Sequence, residues 1–130
     1  MLHETYPYYL SGRAVAANTD LAVRNKYTGE VACRVALADA AAIDAGIEAA
    51  AKAFDQTRKL PAHRRQSILQ HVVKRVEERH EELAQALCIE AGKPIRDARM
   101  EVTRLVDTFR VAAEEAVRIG GEYLPLDISP

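Results

Sequence analysis

The sequence predicts an α+β chain, mostly α-helical with an N-terminal β-hairpin. Two patterns support this class. Residues 21–35 alternate between apolar and polar positions, which is the period of a half-buried strand. From residue 39 onward apolar residues return every three to four positions, which is the period of an amphipathic helix. A chain of 130 residues is at most one small domain, able to bury roughly two-thirds of the surface that its unfolded form exposes.

The hairpin region is predicted at residues 8–36. Apolar residues alternate on both sides of a turn at residues 25–29, where Gly29 can adopt the positive φ that such a turn needs. A shorter strand at residues 8–10 is predicted to turn at Ser11-Gly12. The alternating apolar residues are Leu21, Val23, Val31, Cys33 and Val35.

Four helices are predicted in residues 39–120, and the first two are marked by the residues that begin them. Asp39 is suited to cap the first helix, which should end near residue 57. Pro61 is suited to open the second. The apolar face of the first helix is Ile43, Ile47, Ala50 and Phe54, and the apolar stripe of the second is Ile68, Leu69, Val72, Val73 and Val76.

The third helix carries glutamates at positions 81–82 in its first turn, where they favour the helix dipole. Gly92 ends this helix, and Pro94 prevents its continuation. The fourth helix is predicted over 95–119, a length of about 36 Å at 1.5 Å per residue. Residues 121–130 are interpreted as the start of a bridging strand. The side chains of the third helix expected to face inward are Leu83, Ala84, Leu87 and Cys88.

The fourth helix has a broader apolar arc than three shorter helices can cover. Small alanines in its last turns favour the close approach of another element. We therefore expect part of its packing partner to lie outside residues 1–130, which form a single segment of a larger architecture. The residues of the arc are Ile95, Ala98, Val102, Leu105, Val106, Phe109, Ala112, Ala113, Ala116 and Val117.

Composition argues against several classes of partner. The 18 basic and 19 acidic residues nearly balance, so no electrostatic attraction to nucleic acid or to an anionic membrane is expected. The N-terminus has neither a basic start nor an apolar signal region, and no apolar run approaches the ~20 residues that span a bilayer. We expect a cytoplasmic protein in which the two distant cysteines, Cys33 and Cys88, are reduced.

No arrangement of residues indicates a catalytic centre, so no catalytic residue is predicted in this chain. Cys33 and Cys88 occupy apolar strand and helix positions, which is typical of small buried hydrophobic residues. His63, His71 and His80 do not have the spacing of metal ligands, and we expect them on the surface of the second helix.

Nucleotide and acid–base signals are equally weak. The six glycines form no GxGxxG pattern, and Gly92-Lys93 is followed by Pro94 where a phosphate-binding loop needs Ser or Thr. The acidic cluster at 77–82 is typical of a solvated helix face. A nucleic-acid binder is a weak alternative because no aromatic residue interleaves its basic residues, which are Arg58, Lys59, Arg64 and Arg65.

An ordered set of motifs resembles the NAD(P)-dependent aldehyde dehydrogenases. Residues 25–30, NKYTGE, resemble the Asn-Pro-x-Thr-Gly-Glu turn of that family, and residues 90–94, EAGKP, resemble its Glu-Thr-Gly-Lys-Pro. Residues 107–113 lie where the family has a similar helix, and residues 41–69 match its two-helix pattern with a Leu-Pro opening. The similarity covers about residues 8–128. Lys26 and Ala91 replace the usual Pro and Thr, in motifs that are structural.

The resemblance implies that this chain is the N-terminal segment of an enzyme with an α/β, Rossmann-like fold. The family oxidises an aldehyde to an acid or acyl product with NAD or NADP, through a thiohemiacetal on a catalytic cysteine. No position here matches the family's nucleophile, general base, oxyanion asparagine or cofactor-binding segments, so the isolated chain is expected to be inactive and to bind no cofactor. An unpaired strand edge and an uncovered helix stripe favour self-association, so we expect a homo-oligomer.

One possible metal ligand follows from the same resemblance. In some members the acidic residue at the position of Glu90, with a backbone carbonyl near Arg24, contacts a structural monovalent cation. A glutamate at the end of a helix also needs no ion to explain it, so both interpretations stay open. From the residues alone, a further class also stays open, a free-standing helical interaction module whose apolar face binds a protein partner.

Overall fold

A computed structural model of the chain describes residues 2–126. In that range the chain forms five short strands followed by four helices. The strands are β1 Thr5–Tyr6, β2 Tyr8–Leu10, β3 Arg13–Val15, β4 Leu21–Arg24 and β5 Val31–Val35. The helices are α1 Ala40–Thr57, α2 Ala62–Glu78, α3 His80–Ala91 and α4 Ile95–Glu115. The predicted class, mostly helical with N-terminal strands, is confirmed.

The strands form two small sheets. β4 and β5 pair antiparallel, as the alternation predicted, and β2 and β3 form a second hairpin around Ser11 and Gly12. Strand β1 was not predicted; it pairs parallel with β5 and gives the order β1-β5-β4. A strand of two residues is too short to show a period, and its partner lies about 30 positions further along the chain.

The helix starts and stops follow local chemistry, with one exception. Asp39 caps α1, because its side chain accepts a hydrogen bond of 2.8 Å from the amide of Ala42, and Pro61 precedes α2. The prediction that α4 continues to residue 119 was wrong, because the helix ends at Glu115. Ala116 is still buried, but the side chains of Val117 and Ile119 are exposed, so little packing supports another helical turn.

The core lies where α2, α3 and α4 meet. Ala84 of α3 and Ala98 and Val102 of α4 are fully buried. Alanines let the two helices approach closely, and larger side chains pack around them. These partly buried residues are Val76, Leu83, Leu87 and Ile95.

The predicted apolar arc of α4 is covered only along its centre. Val102 and Val106 are buried, whereas Leu105 and Val117 at the margins are 39% and 46% exposed. Ile68 was expected in the inward stripe of α2 but is 52% exposed, because it lies at the margin of that stripe on the helical wheel. The chain therefore leaves apolar helix surface uncovered.

Residues 121–126 adopt neither helix nor strand. The remainder of the predicted bridging strand, residues 127–130, lies outside the described residues, so that strand stays a prediction. None of the helices between residues 2 and 126 is long and apolar enough to cross a membrane.

Candidate functional site

The turn between β4 and β5 contacts the end of α3. The amide of Lys26 donates a hydrogen bond of 3.0 Å to the carbonyl oxygen of Ile89. Gly92, which ends α3 with a φ of 69°, approaches so closely that a Cβ built on it would lie 2.9 Å from Cβ of Lys26. The turn motif and the helix-end motif therefore form one joint, after which the chain enters α4.

The departure from the family motif at Lys26 has a structural consequence. Proline has no amide hydrogen, so the bond to Ile89 exists because residue 26 is not proline. The turn itself is held by Asn25, whose Oδ1 accepts from the amide of Tyr27 at 2.9 Å. The carbonyl of Asn25 accepts from the amide of Gly29 at 2.8 Å.

Glu90, the candidate metal ligand, is exposed in the last turn of α3. It lines two open cavities, one on each side of this helix. The cavity toward the sheet is about 270 Å³ and includes Tyr6 and Cys33, and the cavity toward α4 is about 400 Å³ and includes Val102 and Leu105. Both are open and largely apolar, so Glu90 lies at the rim of uncovered apolar surface.

The surroundings of Glu90 limit the kind of metal site that it could form. Within residues 2–126 no group of three or more His, Cys, Asp or Glu side chains could hold a metal ion. Backbone carbonyl oxygens are among the ligands that suit a hard cation. The guanidinium of Arg24 is positively charged and donates to the carbonyl oxygen of Gly29 at 3.0 Å. At this position only backbone oxygen atoms are therefore suited to bind a cation.

The two cysteines lie in different environments. Cys33 is buried in β5, and burial, with a smaller contribution from the negative charge of Glu90, raises the pKa of its thiol. A raised pKa keeps the thiol neutral and poorly nucleophilic. Cys88 is half-buried on α3. Burial and the charge of Glu90 therefore both oppose formation of the thiolate that a catalytic cysteine needs at Cys33.

The histidines do not converge. His63 and His71 are exposed on α2. The placement of His80 on the second helix was wrong, since it begins α3, where its Nε2 lies 3.2 Å from Oγ1 of Thr103. The second helix ends at Glu78 and α3 begins at His80, so the predicted break between the two helices lies before His80 and not after it.

Two basic residues named in the sequence, Arg65 and Lys93, contact other parts of the fold. Arg65 donates from Nη2 to the carbonyl oxygen of Arg58 at 2.9 Å, which closes the connection between α1 and α2. Lys93, which follows the glycine at the end of α3, pairs with Glu101 of α4 at 2.7 Å. These contacts use the charges to join helices.

Acidic residues of the cluster at 77–82 form ion pairs that link different helices. The spacing of these residues within the sequence did not predict the pairs. Glu81 of α3 accepts two hydrogen bonds of 2.9 Å from Arg99 of α4. These bonds are the main reason that the pKa of Glu81 falls to about 2. Glu77 of α2 pairs with Arg110 of α4 at 2.9 Å. The residues of each pair are far apart in sequence, so no helical spacing rule identifies them.

Comparison with known proteins gives consistent matches. A sequence model described as the Aldehyde dehydrogenase family matches residues 14–129. An aldehyde-dehydrogenase-like protein of Sinorhizobium fredii is 41% identical over 107 residues, which are 82% of this chain and 21% of that protein. The lactaldehyde dehydrogenase of Methanocaldococcus jannaschii is 36% identical over 108 residues, 83% of this chain and 23% of that protein.

Solved structures agree with the sequence matches. Aldehyde dehydrogenase 21 from Physcomitrella patens, in complex with the reaction product succinate, is 46% identical with a TM-score of 0.92 and covers 99% of this chain and 27% of its own. PnpE in complex with nicotinamide adenine dinucleotide is 35% identical with a TM-score of 0.83, and the match covers 95% of this chain and 26% of PnpE. Glyceraldehyde-3-phosphate dehydrogenase from Methanocaldococcus jannaschii, complexed with NADP, is 35% identical with a TM-score of 0.81, covering 85% and 24%.

The chain thus spans 21% of the length of the Sinorhizobium fredii protein and 27% of the length of the Physcomitrella patens enzyme. The family match takes in nearly all of its residues, the fold agrees with that of the solved structures, and the two motifs that carry the resemblance meet in one joint. This chain belongs to the aldehyde dehydrogenase family.

Proposed function

We propose that this chain is the N-terminal segment of an NAD(P)-dependent aldehyde dehydrogenase and contributes structure rather than chemistry. The longer protein would oxidise an aldehyde to a carboxylic acid or an acyl product, with a cysteine as nucleophile and NAD or NADP as hydride acceptor. That cysteine would lie outside this chain, since the raised pKa of Cys33 and the helical position of Cys88 both disfavour a nucleophilic role.

The observation that carries this proposal is the surface area. The chain exposes 10261 Å². A folded monomer of 14.4 kDa is expected to expose about 6,800 Å². Large apolar side chains contribute to the excess, for example Ile47 at 64% and Leu126 at 85% exposure. A chain with this much uncovered apolar surface is suited to pack against further protein.

The joint around Gly92 defines what the segment would contribute. It fixes the direction in which the chain leaves α3, and α4 then packs along α2 and α3. Ion pairs such as Glu81–Arg99 hold that arrangement at the surface. The segment would therefore present α4 and the hairpin in a defined orientation to the rest of the enzyme.

One activity measurement and one binding measurement test the proposal. The longer protein that contains this segment should reduce NAD or NADP in the presence of an aldehyde. The 130-residue chain alone should show no heat of NAD+ or NADP+ binding by titration calorimetry. Micromolar cofactor binding to the isolated chain, or a longer protein that oxidises none of a broad panel of aldehydes, would contradict it.

We also propose that Glu90 and a backbone carbonyl near Arg24 bind a structural monovalent cation in the longer protein. Two observations support this: Glu90 is exposed, and the carbonyl oxygen of the preceding residue, Ile89, accepts a hydrogen bond from the turn at Lys26. The melting temperature of the longer protein should be higher in potassium or sodium chloride than in choline chloride, and Glu90→Gln should remove that difference. Glu114→Gln, at an exposed position of α4, is the matched control. An equal salt response of the parent and Glu90→Gln proteins would refute the cation role.

The alternative is a free-standing interaction module, which the same exposed apolar surface would favour. Light scattering on the isolated chain distinguishes the two. A monodisperse monomer that binds little hydrophobic dye would support the free-standing module, and concentration-dependent association would support an uncovered segment. The homo-oligomeric state and the cytoplasmic location of the longer protein stay predictions.

A further inference from the structure

One stretch of the chain carries charge of a single sign. Between Asp55 and Glu77 there is no acidic residue, whereas all 19 acidic residues lie in the rest of the chain and outnumber the basic residues there. The near-neutral total therefore conceals a separation of charge, and the basic part covers the connection from α1 to α2 and most of α2. The basic residues of the stretch are Arg58, Lys59, Arg64, Arg65, Lys74 and Arg75, joined by His63 and His71.

Four residues of this stretch form an exposed stripe along α2. Arg64, Ile68, His71 and Arg75 follow one another at spacings of four, three and four positions, so they lie within an arc of about 60° on the helical wheel. All four are exposed, and Ile68 is 52% exposed between its basic neighbours. We call these four residues the α2 basic face.

The charge at the start of this face has no evident role inside the segment. Asp55 pairs with Arg58 at 3.7 Å, and Glu78 pairs with Arg75, so neither of these carboxylates pairs with Arg64. The first turn of α2 contains no acidic residue. A positive charge in that turn opposes the helix dipole, so Arg64 does not stabilise the helix by its charge.

The same charges argue that the face stays exposed in the longer protein. Arg64 and Arg75 would lose hydration if the rest of the polypeptide covered them, and burial of a charged group is costly unless a partner of opposite charge pairs with it. Ile68 lies between them, so an apolar surface could not cover Ile68 without also covering charge. The face therefore suits a partner that supplies both carboxylates and an apolar side chain.

We propose that the α2 basic face docks an acidic segment of a separate protein, with an apolar residue of that segment against Ile68. The inference goes beyond the proposed function and does not depend on it. Carboxylates of the segment pair with Arg64 and Arg75 as charge-assisted hydrogen bonds. These two positions are about 16 Å apart along the helix axis, a distance that an extended segment of about five residues spans.

The chemistry of the face favours an acidic peptide over a nucleic acid. Residues 55–76 contain no Phe, Tyr or Trp on which a base could stack. A phosphate backbone would leave Ile68 uncovered, whereas a leucine of a peptide would remove its apolar surface from water. Four residues expose much less than the about 800 Å² per partner of a stable interface. We therefore expect a transient complex whose affinity depends on salt.

Fluorescence anisotropy with the longer protein tests the proposal. The probe is a fluorescein-labelled peptide of glutamate and leucine. Its dissociation constant should rise at least about tenfold between about 50 and about 300 mM sodium chloride, because salt screens exposed charges. At low salt the double variant Arg64→Ala, Arg75→Ala should raise it about tenfold, since each exposed charge pair contributes about threefold. The matched double variant Arg96→Ala, Arg118→Ala, at exposed positions of the same chain, should leave it unchanged.

Ile68→Ser separates recognition of an acidic peptide from attraction to any polyanion. This variant should weaken binding of the leucine peptide at least about threefold, and it should not weaken binding of a peptide in which serine replaces leucine. Unchanged binding of the leucine peptide by Ile68→Ser, or tighter binding of a labelled oligothymidylate than of the peptide, would overturn the proposal.

Equal effects of the two arginine double variants would also overturn it, because the peptide would then respond to overall charge. Aldehyde oxidation by the longer protein is measured in parallel. A longer protein that shows the expected binding but oxidises no aldehyde would uphold the docking surface and reject the proposed enzymatic function.

Discussion

Replacement of Gly92 by alanine tests the joint between the turn and the end of α3. Gly92 has a φ of 69°, and an added Cβ would lie 2.9 Å from Cβ and 3.4 Å from Cγ of Lys26. Carbon atoms prefer separations of about 3.5–4.0 Å. Lys26 cannot easily retreat, because its amide is bonded to the carbonyl of Ile89. We expect two separate penalties, one from the backbone conformation and one from the steric contact.

The two penalties can be given magnitudes. A non-glycine residue in the left-handed region costs about 1–2 kcal/mol, partly offset by the lower entropy of the unfolded chain, which leaves about 1 kcal/mol. A forced contact that shifts a packed backbone costs a further 1–3 kcal/mol, roughly. Gly92→Ala should therefore lower the free energy of unfolding by about 2–4 kcal/mol.

Gly29 supplies the matched control. Its φ is 76°, but no atom lies within 4 Å of an added Cβ, so Gly29→Ala should lose only about 1 kcal/mol. Urea denaturation followed by far-ultraviolet circular dichroism measures both variants. In the Lys26→Gly background, which removes the contacted Cβ and keeps the amide, Gly92→Ala should cost about 1–3 kcal/mol less. Equal losses for Gly92→Ala and Gly29→Ala, or no coupling to Lys26→Gly, would refute the steric joint.

Three further outcomes are expected. Val102→Ala should lower the free energy of unfolding by about 2–3 kcal/mol, because Val102 is 1% exposed in the helical core. Its control is Met100→Ala, at a position that is 60% exposed. This control should change the free energy of unfolding by less than about 0.5 kcal/mol in the same urea titration. The pKa of Glu81 is lowered from 4.5 to about 2, chiefly by hydrogen bonds from Arg99. The stabilisation from ionised Glu81 is therefore complete above about pH 4.5 and is lost as the pH falls toward 2. Over this range the melting temperature should fall less steeply in Glu81→Gln than in the parent, and identical slopes would contradict the ion pair. Asp39→Ala should cost about 1 kcal/mol of helix stability and speed amide hydrogen exchange in the first turn of α1, whereas Asp39→Asn, which keeps the capping oxygen, should leave the exchange rate nearly unchanged.

Local features of the sequence were sufficient for most element boundaries. Alternation on both sides of the turn at Gly29 gave β4 and β5, and Asp39, Pro61 and Gly92 marked helix ends through chemistry that acts within one turn. The family could be identified because its motifs depend on turns and helix ends. Boundaries that depend on distant packing were missed, as at the end of α4, where the exposed side chains of Val117 and Ile119 give little support to another turn.

The candidate site was less accessible to sequence reasoning. The position of Glu90 came from the motif, but its place at the rim of two cavities depends on how α3 sits between the sheet and α4. The bond from Lys26 to Ile89 joins residues 63 positions apart, and the sequence departure at Lys26 looked neutral until that contact was seen. Long-range pairs such as Glu81 with Arg99 leave no periodic trace.

The sequence by itself determined which residues share a face, where the chain turns and which family it resembles, because each of these follows from neighbours within a few positions. Only the tertiary structure decided which faces are covered. Helix α1 illustrates the difference, since periodicity grouped Ile43, Ile47 and Phe54 on one face, yet the chain contacts the neighbouring side at Gly46 and leaves these three side chains more than half exposed. Burial depends on the shape and position of the packing partner, which a helical period does not specify.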